Sequence, residues 1–179
     1  MTQKRHYEAV ILIHPDYVSN IPQTIESYTK MLEKNNGVVH RSEDWGKKTL
    51  SYIISDVRKA NYLLFNFETT PEMQEEFKKS LDFNDAVIRK LIRVVKKAET
   101  ASTAMLALAK DEQANLKQIA FRYPKNYMNV PWMKSNIHEI GSILPSRTTE
   151  LCSRQQKTLS KSIKLARFLA LIPYCDRHR

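Results

Sequence analysis

Apolar and polar residues alternate near the start of the chain. Tyr7, Ala9, Ile11 and Ile13 fall on one side of an extended segment, and Glu8, Val10 and Leu12 on the other. Both sides are largely apolar, which predicts a strand buried on both faces. His14-Pro15-Asp16 breaks that pattern and the period changes. Ile21, Ile25, Tyr28 and Leu32 recur at helical spacing, up to a C-terminal stop at Asn35-Asn36-Gly37. Val38 to Ile54 reads as one long extended segment with a bulge or bend at Trp45-Gly46. Asn61 to Phe67 is a third, strongly β-prone strand. Thr70 is placed to cap a second helix, with Pro71 in its first turn and Met73, Phe77 and Leu81 as its buried stripe. Ala86 to Val95 is the fourth strand. The order β-α-β-β-α-β predicts a ferredoxin-like, split βαβ α+β domain over residues 1–98, with four antiparallel strands and two helices on one face.

Beyond it the pattern changes character. Lys96 to Ile119 has no glycine or proline and reads as a mostly exposed helix or helix-biased linker, with the linker placed at residues 99–120. Residues 121–179 read as a small, mainly α-helical basic domain. In it Asn129 is a candidate N-cap, Pro131 lies in a first turn and Gly141 is a stop, predicting one short helix. Leu144 to Arg147 is a turn, and a longer helix runs from about Thr149 to Leu171, ended by Pro173.

Charge separates the two halves further. Of the net +10, residues 1–100 contribute 16 Lys and Arg against 14 Asp and Glu, and residues 101–179 contribute 13 against 5. A concentrated positive field implies a polyanionic partner. Arg154, Lys157, Lys161 and Lys164 recur at steps of three, four and three. On a helix they fall within a sector of roughly 80°. Leu159, Ile163, Ala166 and Ala170 gather on the opposite side. No acidic residue occurs between Glu150 and Asp176, whereas a merely solvated helix mixes signs to form i,i+4 pairs. Unpaired cations on a rigid rod suit a phosphate backbone. A membrane-surface helix is the competing reading, which the narrow, Ala-rich apolar face disfavours.

Function classes narrow accordingly. The ferredoxin-like fold serves RNA-binding modules, small phosphatases and interaction domains alike, and does not name a function. Lys59-Ala60-Asn61-Tyr62 with Phe65 and Phe67 only partly echoes an RNA-recognition strand, because the glycine and paired aromatics at the required offsets are missing. With 3 glycines the chain hardly supplies a phosphate-cradling loop. No catalytic residue, cofactor or metal is expected. His178 has no nucleophile near it in sequence, and Cys152 and Cys175 read as free thiols in a reducing compartment. The start of the chain leads straight into the first strand, so neither a signal nor a transit peptide is expected, and no apolar run reaches the roughly 20 residues of a membrane span.

Three motifs in the first half carry a resemblance. Arg5-His6-Tyr7-Glu8, Glu43-Asp44-Trp45-Gly46 and the run Phe83-Asn84-Asp85-Ala86-Val87-Ile88-Arg89 resemble the family of bacterial small-subunit ribosomal protein six, over about residues 4–98. Beside that resemblance, Trp45 reads as packing at a sheet edge or protein interface, and Asn84-Asp85 as a turn. A second resemblance covers about residues 121–179. Leu144-Pro145-Ser146-Arg147, the run from Lys161 to Arg167, and Ile172-Pro173-Tyr174-Cys175-Asp176-Arg177-His178 resemble small-subunit ribosomal protein eighteen. Thr149-Glu150-Leu151 replaces that family's usual Thr-Gly-Thr-like turn, and Cys175 stands where Thr or Val is common.

Together the resemblances imply a covalent version of a ribosomal pair that binds the central domain, or platform, of small-subunit rRNA. Its partners would be rRNA and neighbouring small-subunit proteins, with no membrane, and its two halves would dock on each other or on a second copy. The implied location is the cytoplasmic ribosome of a bacterium, or alternatively the ribosome of a mitochondrion or plastid. The expected RNA contacts are Arg147, Arg154, Lys157, Lys161, Lys164 and Arg167, with Arg177 and His178 at the end and Arg89, Lys90 and Arg93 as a secondary basic strand. Trp45, Tyr52, Tyr62, Tyr127 and Trp132 are the expected inter-domain surface. The alternative is an off-ribosome RNA-binding regulator, such as a repressor of its own mRNA, using the same helix.

Overall fold

The computed structural model describes residues 3–34, 36–110, 116, 120 and 125–175. The chain forms two compact units, Met1–Thr49 with Lys59–Ala101, and Leu50–Arg58 with Ser102–Arg179. The first contains β1 (Arg5–Ile13), a 3-10 turn (Pro15–Asn20), α1 (Ile21–Lys34), most of β2 (Val38–Ile54) and β3 (Val57–Thr69), α2 (Pro71–Asp82) and β4 (Val87–Val95). The sheet order is β2-β3-β1-β4, and β1 is antiparallel to both neighbours, with Tyr7 opposite Phe67 and Val94. This is the ferredoxin-like α+β arrangement that the element order predicts.

Alternation along β1 sets the core. Tyr7, Ala9, Ile11 and Ile13 share a cluster with Leu63, Phe65 and Phe67 of β3, with Tyr28 and Leu32 of α1, and with Phe77 and Leu81 of α2. Phe77 meets Tyr28 and Phe67 edge-on, with ring centroids 5.6 and 5.4 Å away, the geometry the ring quadrupoles favour. On the other face Val10, Leu12, Tyr62 and Leu64 are equally buried.

The ends of the elements follow local chemistry. Thr70 Oγ1 accepts from Met73 N at 3.4 Å and opens α2 behind Pro71. α1 closes where Asn36 turns left-handed (φ 58°) and Gly37 N donates to Leu32 O at 3.1 Å. A Cβ on Gly37 would lie 2.3 Å from that oxygen, so only glycine fits. Asn84 donates from Nδ2 to the Tyr28 hydroxyl at 2.7 Å and accepts from Ala86 N at 3.0 Å, which shapes the turn before β4. Burial pushes the Tyr28 hydroxyl above the ordinary tyrosine range, and the Asn84 bond partly opposes this. The third strand is longer than the Asn61–Phe67 expected. Ser55 and Asp56 both have positive φ (47° and 60°) in a two-residue loop, and such a loop lets ladder pairing resume at once.

The second unit combines this hairpin tip with α3 (Ala104–Lys110), α4 (Val130–Lys134), α5 (Ser146–Thr149) and α6 (Ser153–Phe168). Three expectations are corrected here. The helix expected from Lys96 starts only at Ala104, where Thr103 Oγ1 accepts from Leu106 N at 3.2 Å; a hydroxyl so placed caps rather than continues a helix. Ala104 and Met105 are buried, not exposed. The rest of that expected helix lies largely outside the described residues. The helix after Asn129 ends at Lys134 rather than near Gly141, because Asn136 and Ile137 turn the chain into a short antiparallel bridge between Ile137 and Ile143. The last helix runs over Ser153–Phe168, not from Thr149 to Leu171. Glu150 is left-handed (φ 56°) and separates α5 from α6, and Ala170 (φ 54°) ends the run before Pro173.

Leu159, Ile163 and Ala166 of α6 are buried together with Tyr127, Met128, Met133, Leu169 and Ile172. Gln156 bridges two loops, donating to Leu144 O at 2.7 Å and accepting from the Thr149 hydroxyl at 2.9 Å. At the hairpin tip Ser51 N donates to Ala170 O and the Tyr52 hydroxyl to Arg167 O, both at 2.8 Å, and the Tyr52 ring lies 5.5 Å from Tyr174. Gly141 (φ 95°) packs so closely that an added Cβ would lie 2.6 Å from Tyr174 O. Among the described residues no helix is long and apolar enough to cross a membrane.

Two substitutions probe these units separately. Phe77→Ala should lower the unfolding free energy of the first unit by about 3–5 kcal/mol, read by urea denaturation. Gly141→Ala should destabilise the second by at least about 1–3 kcal/mol, the cost of forcing a side chain into that backbone conformation. The C-terminal segment should then exchange amide hydrogens faster while the sheet stays protected.

Candidate nucleic-acid interface

Helix α6 is two-sided by packing. Arg154, Lys157, Lys161 and Lys164 are exposed while Leu159, Ile163 and Ala166 are buried. Among the described residues none of the four cations is paired with a carboxylate. Their mutual repulsion is tolerated because burial of the opposite stripe holds the helix in place. An anion is what such a row lacks.

Two grooves flank the row. One of about 330 Å³ is lined by Ser146, Ser153, Gln156, Lys157, Ser160 and Lys161. Hydroxyls, an amide and two ammonium groups in one concavity match phosphate and sugar oxygens. The other, of about 370 Å³, brings Lys125 and Trp132 beside Arg154, Gln155 and Thr158. Trp132, expected on an inter-domain surface, therefore lines a basic groove. Ser153, Gln156 and Ser160 were missed in the sequence, although their helical spacing next to Lys157 was a usable signal. Lys125 had no such signal, because only folding places it by Arg154.

The other expected contacts are distributed differently. Arg147 is exposed on α5. Arg167 lies off the cationic sector and is half-buried; its guanidinium donates to Gly141 O and sits 5.7 Å from the Tyr174 ring centroid. On β4, Lys90 pairs with Asp82 and donates to Lys78 O at 3.2 Å. Arg93 Nε lies 2.6 Å from Glu8 Oε1, and Glu8 is only 1% exposed. Arg89 is half-buried on the same strand. Lys90 and Arg93 are thus neutralised by the protein's own carboxylates. Arg177 and His178 lie outside the described residues.

The remaining aromatic candidates divide between the units. Trp45 and Tyr62 stack within the first, with centroids 6.3 Å apart, and Trp45 Nε1 donates to Glu43 Oε2 at 2.8 Å. Glu43 also faces Arg41 at 3.7 Å, and Arg41 donates to Asn66 Oδ1 at 2.9 Å. Tyr52 and Tyr127 belong to the second unit, Tyr127 wholly buried. Lys48 on β2 is half-buried, and desolvation holds its pKa below the ordinary lysine value.

Comparison with known proteins finds two families along the chain. A family model described as Ribosomal protein S6 matches residues 6–93, and one described as Ribosomal protein S18 matches residues 122–172. Small ribosomal subunit protein bS6 of Polaromonas naphthalenivorans (strain CJ2) is 44% identical over 114 residues, covering 64% of this chain and 94% of the relative. The protein of the same name from Polaromonas sp. (strain JS666) gives the same figures. The crystal structure of 30S ribosomal protein S6 from Thermotoga maritima aligns at a TM-score of 0.48 and 19% identity, covering 52% of this chain and 89% of that one. The chain belongs to the ribosomal protein S6 family of the small ribosomal subunit and continues, in tandem, into a segment that matches ribosomal protein S18.

Proposed function

We propose that this chain is a structural constituent of the small ribosomal subunit that binds the platform, or central domain, of its rRNA without catalysis. The observation that carries this reading is the row Arg154, Lys157, Lys161 and Lys164, exposed and unpaired among the described residues on one face of α6. Arg147, exposed on α5, would add a further cation, and the groove with Ser153 and Ser160 adds neutral donors beside the row. Residues 1–98 act as the scaffold, 99–120 as the linker and 121–179 as the RNA-facing element, in the ribosome of a bacterial cytoplasm. Joining the two halves makes their docking intramolecular, at roughly millimolar effective concentration for a linker of suitable reach. In support, Leu50–Arg58 lies within the span matched to S6 yet belongs to the same compact unit as the span matched to S18.

Replacing Lys157, Lys161 and Lys164 together with Gln should weaken binding to small-subunit rRNA and flatten the slope of log K against log salt by about 2–3. An unchanged slope would rule the row out as the phosphate contact. In sucrose gradients at high salt the chain should stay with small subunits. A protein that washes off quantitatively and instead binds its own mRNA leader would be a regulator rather than a structural component.

A further inference from the structure

We propose that His6, His40 and Glu68 form a zinc site on the sheet face opposite the helices. The three residues come from three adjacent strands. His6 of β1 is directly opposite Glu68 of β3, and β2, which carries His40, is the other neighbour of β3. Tyr7, Val39 and Phe67 point into the helix-side core, so His6, His40 and Glu68 share the other face. His40 and the next residue, Arg41, approach Glu68 and Asn66 of β3 respectively.

The donor atoms converge. His6 Nδ1 and His40 Nε2 lie 3.8 and 3.7 Å from the same oxygen, Glu68 Oε2, and all the potential ligand atoms fall within 4.8 Å of one another. Both nitrogens are shut off from solvent and have no hydrogen-bond partner. At those distances neither makes a hydrogen bond to the carboxylate. A buried imidazole nitrogen without a partner is costly, and two aimed at one carboxylate leave three lone-pair donors around a common point. Two imidazoles and a carboxylate are a donor set suited to zinc. Tetrahedral zinc, with bonds of about 2.0–2.1 Å, separates its ligands by about 3.3 Å, so each imidazole needs to close on the carboxylate by about half an ångström and no pair of ligand atoms by more than about 1.5 Å. The side chains remain 21–30% exposed through their other atoms, so the cluster lies close to the protein surface. Bound there, zinc would pin the β2 edge strand to β3 and β1.

Cobalt(II) is the probe, because tetrahedral coordination gives it visible d–d absorption. Titrated into the full chain, it should produce a band that saturates at one equivalent and is displaced by zinc. His40→Asn and Glu68→Gln should each lower the affinity at least about tenfold, with far-ultraviolet circular dichroism unchanged, while His138→Asn leaves it intact. The absence of a saturable band in the unsubstituted chain would overturn the assignment and leave a plain imidazole–carboxylate cluster. So would a band that survives His40→Asn, or a thiolate charge-transfer band showing that Cys152 or Cys175 holds the ion.

Discussion

Strands β1 and β3 are buried on both faces, and the first unit is built around that constraint. On the helix side the solution is apolar, with Tyr7, Phe65, Phe67, Tyr28 and Phe77 filling one cluster. On the other face apolar residues such as Val10, Leu12 and Leu64 share the surface with charged ones, and each buried charge there must be neutralised or hydrogen-bonded. Arg93 answers Glu8; Arg41 answers Glu43 and Asn66; Glu43 in turn orients Trp45. Removing one member would leave an uncompensated charge in a low-dielectric setting, which costs more than the pair contributes.

That requirement sorts the basic residues by role. Arg41, Lys90, Arg93 and Arg167 all engage acceptors within their own unit, so their positive charge belongs to the fold. The cations of α6 are arranged the opposite way. Packing of Leu159, Ile163 and Ala166 fixes the helix, and the row on the other side is left without counter-charge among the described residues. Its field is therefore directed outward, the condition for counterion release on a polyanion.

Much of this was legible in the sequence, for identifiable reasons. Period-two alternation at Tyr7–Ile13 and the i, i+4, i+7 spacing of Ile21 to Leu32 are direct images of burial, and both appear in the core. Thr70-Pro71 names a helix start because an oxygen and a missing N–H suit the first turn. The second half was harder to read. Composition favours helix throughout residues 96–119, and yet Thr103 caps where propensity alone would continue. Glu150 ends α5 in a left-handed conformation that no residue preference announces.

Identity and spacing of residues thus determined the element order, the helix-side core and the cationic row, because periodicity and charge are local properties that survive any packing. Tertiary structure decided which cations are paired and which, among the described residues, face no carboxylate, and that Trp132 joins a basic groove. It also grouped the hairpin tip at Tyr52 with α6. Those outcomes depend on strand order and on contacts between residues far apart in sequence. His6, His40 and Glu68 make the point most sharply: separated by 34 and 28 positions, they meet because β1, β3 and β2 are neighbours in the sheet.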